Sequence, residues 1–343
     1  MRAALQTDFG GPEAITVTDV PDPHPEAGDV IVRVHAAALN RLDVLQRSGP
    51  ALLPGFTLPH IAGMDMAGAI EVVGPGVHDF AVGDRVVVNP SVDCGVCDVC
   101  RSGDDAFCPN KRVLGANAPG GFAELVSVPA THVHRIPDAM SFQEAATIPT
   151  VHSTAWGALV ETGDLRVGEW LLVHAAASGV SVAAIQLAQR IGARVIATAG
   201  SQRKLDLALK LGAVAAINNR DDDWVDQVRA VTGGRGVDMV FDHVGPALFQ
   251  GSLQSLRPRG RLVFCGTTTG AQATFLLPHA YHFGLKILGS DTYSRAEFAR
   301  MLDSYAISGF QPIIDSEVSL DQLGTAQERL AANDVVGKIV VVP

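Results

Sequence analysis

From residue 170 to about 289 the chain alternates short apolar runs with helix-patterned segments at the spacing of βαβ units. The runs are 171–175, 194–199, 214–218, 238–242, 260–266 and 286–289, and helical segments lie between them, such as 202–211 closed by Gly212. Right-handed crossovers then put helices on both faces of a parallel sheet, so the expected fold class is α/β with a doubly wound parallel sheet. The first 130 residues read differently. Their β segments, at 15–20, 30–37, 67–73, 84–89 and 122–128, are broken by signals such as Gly74-Pro75-Gly76. Ser141-Phe-Gln-Glu144 is a capping box that opens a helix, and a second helix is expected over 154–160. The tail adds a helix from about Arg295 capped by Ser294 with Glu297, an amphipathic helix near 320–331 and a last strand at 338–342. At 343 residues the chain exceeds what one core usually supports, so a β-rich domain beside an α/β domain is the expectation.

Apolar residues make up 47% and charged residues 18%, which excludes a disordered or fibrous chain. The 26 Lys and Arg against 36 Asp and Glu leave a formal charge of −10, which argues against nucleic acid and anionic membrane surfaces as partners. Residues 170–189 carry no formal charge, but His174, Ser178, Ser181, Gln186 and Gln189 make them a strand, turn and helix rather than a membrane span. Residues 1–13 lack the apolar core of a signal peptide, and a cytoplasmic location is the expectation.

Four of the five cysteines, Cys94, Cys97, Cys100 and Cys108, fall within fifteen residues as C-x2-C-x2-C-x7-C. Four thiolates close a tetrahedron around Zn²⁺ and leave no open position, so one structural zinc per chain is expected in a lobe of about 90–112. An iron–sulfur cluster and plain reduced thiols are the alternatives; the pair Cys108-Pro109 resembles a cluster motif, but the last gap is seven rather than three. Cys265, in an apolar strand, reads as a buried small residue.

The run 171–175 leads into Ala176-Ala-Ser178-Gly179-Val180-Ser181 and an Ala-rich helix, which presents backbone N–H groups to a pyrophosphate. Ala176, Ser178 and Ser181 stand where a dinucleotide fingerprint has glycines, so an ordinary βα turn is the competing reading. About twenty residues on, the strand ends Thr198-Ala199-Gly200-Ser201 and continues into Arg203 and Lys204. No carboxylate awaits a ribose hydroxyl there, and two cations are available for a 2′-phosphate, which favours NADPH over NADH. The plainer reading of Arg203 and Lys204 is a solvated first helical turn.

Several motifs together carry a family resemblance: Gly63-Met-Asp65-Met-Ala67-Gly68-Ala-Ile-Glu-Val-Val-Gly74, the cysteine lobe, Gly120-Gly-Phe-Ala-Glu124, Ile148-Pro149 with Thr154-Ala-Trp156, His174-Ala-Ala-Ala-Ser-Gly-Val180, Ala197-Thr-Ala-Gly-Ser201 and Gly337-Lys-Ile-Val340. With them the chain resembles the medium-chain dehydrogenase/reductase superfamily over essentially its whole length. The resemblance implies a GroES-like catalytic domain, residues 1–150 and 290–343, around a Rossmann dinucleotide-binding domain of 151–289, with substrate and nicotinamide meeting in the cleft. It also implies a homodimer or homotetramer. Zinc alcohol dehydrogenases of this family hold a catalytic zinc at positions that look like Asn40, Met64 with Asp65, and Thr150 here. Asn40, Met64 and Thr150 are poor zinc ligands. Asn40-Arg-Leu-Asp43 and Gly63-Met-Asp65 instead look like the quinone oxidoreductase branch, which lacks catalytic zinc and commonly uses NADPH. A second zinc assembled from His60, Asp65 and His152 is the competing reading.

Oxidising a simple alcohol means removing a proton of pKa near 16, on the order of 12 kcal/mol at neutral pH. A Tyr-x-x-x-Lys dyad is absent, since Tyr281, Tyr293 and Tyr305 have no Lys four residues later. One aimed hydrogen-bond donor contributes about 3 to 4 kcal/mol to a developing oxyanion, enough for acceptors that delocalise charge, such as quinones, enones and conjugated aldehydes. The expected catalytic residues are Asn40 as donor, Asp43 to orient Asn40 or a water, and Thr154 beside the nicotinamide. Asp242-His243-Val244-Gly245 and Cys265-Gly266-Thr267 end later strands where a Rossmann sheet meets its cofactor, and the resemblance suggests backbone contacts from Val244, Gly266 and Thr267. Asn219 stands where relatives often have Tyr, and Arg220 keeps the NADPH reading alive. Two other functions compete: a zinc-dependent alcohol dehydrogenase, and a non-catalytic NADPH-binding module.

Overall fold

The computed structural model describes residues 1–50 and 53–343. They form two compact units, one of Met1–Thr150, Tyr293–Arg300 and Pro312–Pro343, the other of Val151–Thr292 and Met301–Gln311. The sequence reading returned all of 290–343 to the first unit. Met301–Gln311 instead packs into the second, where Tyr305 and Phe310 meet the His152 ring edge-on and Gln311 exchanges two 2.9 Å hydrogen bonds with the Gln186 amide.

The first unit is organised by strand Asp29–Ala38, whose alternating Val30, Val32 and Val34 side chains are buried. It pairs antiparallel with Asp65–Val73, with Leu125–Pro129 and with Lys338–Val342. Arg85–Val88 and Val133–Arg135 extend the sheet on one side, and Ile314–Ser319, parallel to Lys338–Val342, on the other. A second sheet joins Ile15–Asp19, Arg2–Gln6 and His60–Ile61. Phe122, Met66, Ile70 and Ile339 fill the core.

In the second unit six parallel strands lie in the order Ala215–Asn218, Arg194–Ala199, Trp170–Val173, Val237–Asp242, Leu256–Phe264, Lys286–Gly289. Counted along the chain this is 3-2-1-4-5-6, the doubly wound order whose carboxyl edge binds dinucleotides. Leu171, Leu172 and Val173 are wholly buried, as strands covered on both faces require. Residues 170–189 are strand Trp170–Val173, a turn and helix Gly179–Ile191, and no helix among the described residues is long and apolar enough to cross a membrane. Three boundaries move. The helix expected over 154–160 runs Pro149–Trp156 and continues as a π-turn, because Pro149 suits a first helical turn. The late amphipathic helix begins only at Leu323, after a 3-10 turn, and Cys265 lies half-buried just past its strand.

Candidate functional site

The cysteine lobe is built locally. Cys97 caps the short helix Asp98–Arg101, its Sγ accepting the Cys100 N–H at 3.5 Å, and the Cys108 Sγ accepts the Cys94 N–H at 3.4 Å. The four sulfurs lie within 4.8 Å of one another, with edges of 3.4, 3.9 and 4.0 Å. Four thiolates at about 2.3 Å from zinc are separated by about 3.8 Å, so the cluster fits the ion. Backbone N–H groups of Val96 and Cys97 pull the Cys94 thiol down to about 6, while burial and the neighbouring thiols push Cys100 up to about 12. Behind the cluster, the buried Asp93 meets His132 Nε2 at 3.0 Å and Arg295 Nε at 2.9 Å, and Asp105 accepts the Arg295 main-chain N–H at 3.0 Å. Among the described residues no other group of His, Cys, Asp and Glu converges as metal ligands. His60 instead packs against Phe56, and His152 against Tyr305 and Phe310.

Two strand registers assemble a second, buried polar site. Ala38 lies opposite Asp65 on one side and Val340 on the other, so Asn40, just past Ala38, meets Asp65 and Lys338. Gly337, at φ +84, sets the entry of Lys338, and a Cβ there would stand 2.0 Å from the Ile313 carbonyl oxygen. Asn40 Nδ2 donates to Asp65 Oδ2 at 2.9 Å. Lys338 Nζ donates to Asn40 Oδ1 at 2.7 Å and to Asp65 Oδ2 at 2.9 Å, and the Thr150 main-chain N–H donates to Asp65 Oδ1 at 2.8 Å. Asp65 is wholly buried and Lys338 is 5% exposed. A buried pair of this kind is held by satisfying each member, and stranding one member costs about 3 to 5 kcal/mol.

The catalytic expectation needs one revision here. Asp43 touches Asn40 through the main chain, its Oδ2 accepting the Asn40 N–H at 2.7 Å at the start of helix Arg41–Ser48. The Asn40 side chain is oriented by Asp65 and Lys338, because strand register and not sequence proximity sets its partners. Burial pushes the Asp43 carboxyl up to about 7 against the hydrogen bond from Asn40. Thr154 lies one turn beyond Thr150 in helix Pro149–Trp156 and is half-buried.

The residues expected around a dinucleotide share the carboxyl edge of the parallel sheet. Ser178 caps helix Gly179–Ile191, its Oγ accepting the Ser181 N–H, and the N–H groups of Gly179 and Val180 are left without helical acceptors. Gly200 and Ser201 end the next strand before Arg203 and Lys204, and the Arg220 guanidinium lies so close to Gly200 that a Cβ there would be 2.8 Å from its Nε. Gly266 and Thr267 follow strand Leu256–Phe264, with Gly266 packed on the His243 main chain. These features fit a dinucleotide: free helix-terminal donors, a small-residue approach and a cation beside the second strand.

Two expected contacts are corrected. Ser181 is wholly buried and its hydroxyl donates to the His174 carbonyl at 2.7 Å while accepting from His243 Nε2 at 2.8 Å, so it braces the turn from beneath. The Val244 N–H is taken by Asp242 Oδ1 at 2.7 Å and its carbonyl by the Thr269 N–H and hydroxyl, leaving only its side chain for a ligand. The brace itself was missed. His174 Nε2 donates to Ser252 Oγ at 2.8 Å, a tautomer assigned because that hydroxyl donates to the Leu248 carbonyl, and His174 Nδ1 accepts from Thr198 Oγ1 at 2.8 Å. Burial holds His174 down to about 3 and His243 to about 4, so both rings are neutral. A polar residue ending an apolar strand, followed by hydroxyls four and seven residues on, was the available signal.

A doubly wound sheet with a small-residue phosphate turn, and a separate β-rich unit carrying a thiolate lobe, define a nicotinamide-dependent oxidoreductase. The family model for the alcohol dehydrogenase GroES-like domain matches residues 26–138, and that for the zinc-binding dehydrogenase matches 179–306. A solved structure of an NAD-dependent alcohol dehydrogenase superposes with a TM-score of 0.96 at 41% identity, over 100% of both chains. The acryloyl-coenzyme A reductase of Sulfurisphaera tokodaii is 29% identical across 97% of this chain and 98% of its own. Human quinone oxidoreductase is 26% identical across 99% of this chain and 97% of its own. The chain belongs to the medium-chain dehydrogenase/reductase superfamily, zinc-type alcohol dehydrogenase-like, and is an NAD(P)H-dependent oxidoreductase.

Proposed function

We propose that this enzyme transfers a hydride from NADPH to a conjugated carbonyl acceptor, a quinone, enone or aldehyde, without a catalytic zinc. The observation that carries the reading is the bond from Asn40 Nδ2 to Asp65 Oδ2 at 2.9 Å, with Lys338 Nζ on the other end of the same amide. That hydrogen bond uses one of the two amide protons and leaves the second for a substrate oxygen. The donor set also argues against zinc: an ammonium already neutralises the one carboxylate, and Asn40, Met64 and Thr150 offer no strong ligand.

NADPH, when bound, supplies the hydride. The Gly179 and Val180 N–H groups would receive its pyrophosphate, with Ser178 holding the turn. Arg203, Lys204 and Arg220 around Gly200 and Ser201 would receive the 2′-phosphate, since no carboxylate ends strand Arg194–Ala199 to select a bare ribose. Gly266 and Thr267 would approach the cofactor by main chain, and Thr154 would border the nicotinamide. Asn40 would donate to the oxygen on which charge develops, and the acceptor's own conjugation would carry the remainder. Acryloyl-coenzyme A is a conjugated thioester, so the relatives named for it and for quinones lie within this acceptor class.

The test is turnover of NADPH with quinones, enones and conjugated aldehydes. Asn40→Ala is expected to lower kcat by about 10² to 10³. Retention of kcat within about twofold refutes the donor role. Zinc-dependent alcohol oxidation is the second reading; the alcohol substrate, though not the zinc, is what the name of the 41%-identical solved relative states. It requires turnover of simple alcohols that a chelator abolishes. A homodimer or homotetramer is supported by exposed Leu276, Leu277 and Tyr281 near edge strand Lys286–Gly289, and light scattering of the purified protein checks it.

A further inference from the structure

We infer that Lys338 is a positioning residue for the reduction: its buried ammonium fixes the Asn40 amide so that one N–H stays aimed at the substrate oxygen. The inference rests on the proposed donor role of Asn40 and deepens it. An ammonium only donates, and a carboxylate only accepts. With Lys338 Nζ 2.7 Å from Asn40 Oδ1 and Asp65 Oδ2 2.9 Å from Asn40 Nδ2, a flipped amide would set NH₂ against NH₃⁺ and oxygen against carboxylate. Only one orientation is therefore stable. Thr150 N–H, 2.8 Å from Asp65 Oδ1, keeps the carboxylate from rotating, and Gly337 with the Ile313 carbonyl fixes the main chain that carries Lys338.

Charge gives a second reason. Asp65 is wholly buried and lies one hydrogen bond from the donor, so unpaired it would oppose negative charge on the substrate oxygen. Lys338, bonded to Asp65 Oδ2 at 2.9 Å, cancels that field while remaining 5% exposed and inaccessible to bulk water. The cation is thus built into the final strand, where its effect reaches the substrate through Asn40.

The test is a double-mutant cycle on the full-length enzyme, with NADPH and 1,4-naphthoquinone as the probe pair. NADPH fluorescence titration counts folded sites, so kcat is expressed per competent molecule. Lys338→Met is expected to lower kcat at least about 30-fold with KM for NADPH within about twofold, and in the Asn40→Ala background the same change is expected to lower kcat less than about threefold. Lys338→Arg, which keeps charge and donors, is expected to recover kcat to within about tenfold of wild type. Should Lys338→Met fail to fold, Lys338→Gln carries the same cycle, because its amide leaves Asp65 a neutral partner. If Asn40→Ala is slow but the lysine change costs nothing, or multiplies equally in both backgrounds, the positioning role is wrong and the donor role stands. If Asn40→Ala itself retains full kcat, the donor role falls and this inference falls with it.

Discussion

The Asp43 carboxylate accepts the main-chain N–H of Asn40 at 2.7 Å, deep in the first unit, and burial raises its pKa to about 7. The native state thus holds this proton between about pH 4 and 7 while the unfolded chain releases it, so the contribution to stability is complete below about pH 4 and is lost as pH rises through 7. Asp43→Asn keeps an acceptor for Asn40 and removes the titration. Chemical denaturation at pH 5 and pH 8 is expected to show the variant gaining relative to wild type at the higher pH. An unchanged difference at the two pH values would contradict the assignment.

His174 and His243 act in the opposite sense. Both rings are neutral in the fold, at about 3 and about 4, and ordinary in the unfolded chain, so their contribution is present above about pH 6.5 and is lost as pH falls. Acid unfolding should take up close to two protons from these rings between pH 6 and 4.5. His174→Asn is expected to lower the uptake by about one, measured from the pH dependence of the unfolding midpoint at constant ionic strength.

Arg220 lies over Gly200 at the end of the second strand of the parallel sheet. A charge-assisted hydrogen bond contributes about 1.5 to 3 kcal/mol, so Arg220→Ser is expected to raise KM for NADPH roughly tenfold or more and to leave KM for NADH within about twofold. Equal effects on both cofactors would assign Arg220 to the fold.

Arg295 ties helix Arg295–Ser308 to the loop of the thiolates through Asp93 and Asp105. The Asp93 side chain is 3% exposed, and without the guanidinium it keeps the His132 ring, whose pKa burial lowers, and the Gly95 N–H, neither of which replaces the cation. Arg295→Ala is expected to destabilise by about 2 to 4 kcal/mol, lowering Tm by roughly 5 to 10 °C, and to speed zinc release to a chelator. A wild-type release rate would separate the latch from the metal lobe.

How much of this was legible in the sequence follows the distance over which each feature is encoded. The four cysteines span fifteen residues and the βαβ units repeat locally, so the lobe and the parallel sheet could be read directly. Asn40 could be singled out as a candidate donor because of its place in the Asn40-Arg-Leu-Asp43 motif. Lys338 was not, because it is 298 residues from Asn40 and reaches it only through two strand registers on Asp29–Ala38. The same holds for Ser252, which meets His174 from 78 residues away. Ser181 was misread because sequence gives its position at the turn but not the inward direction of its hydroxyl.

The reaction we propose needs no catalytic zinc, because the Lys338 ammonium already pairs with the buried Asp65 at 2.9 Å. Zinc per subunit, measured by plasma mass spectrometry on protein purified without added metal, tests this most directly. One zinc is expected in wild type and none in Cys94→Ser/Cys97→Ser, with Asp65→Ala unchanged from wild type. Two zinc ions per subunit, one of them lost in Asp65→Ala, would contradict it.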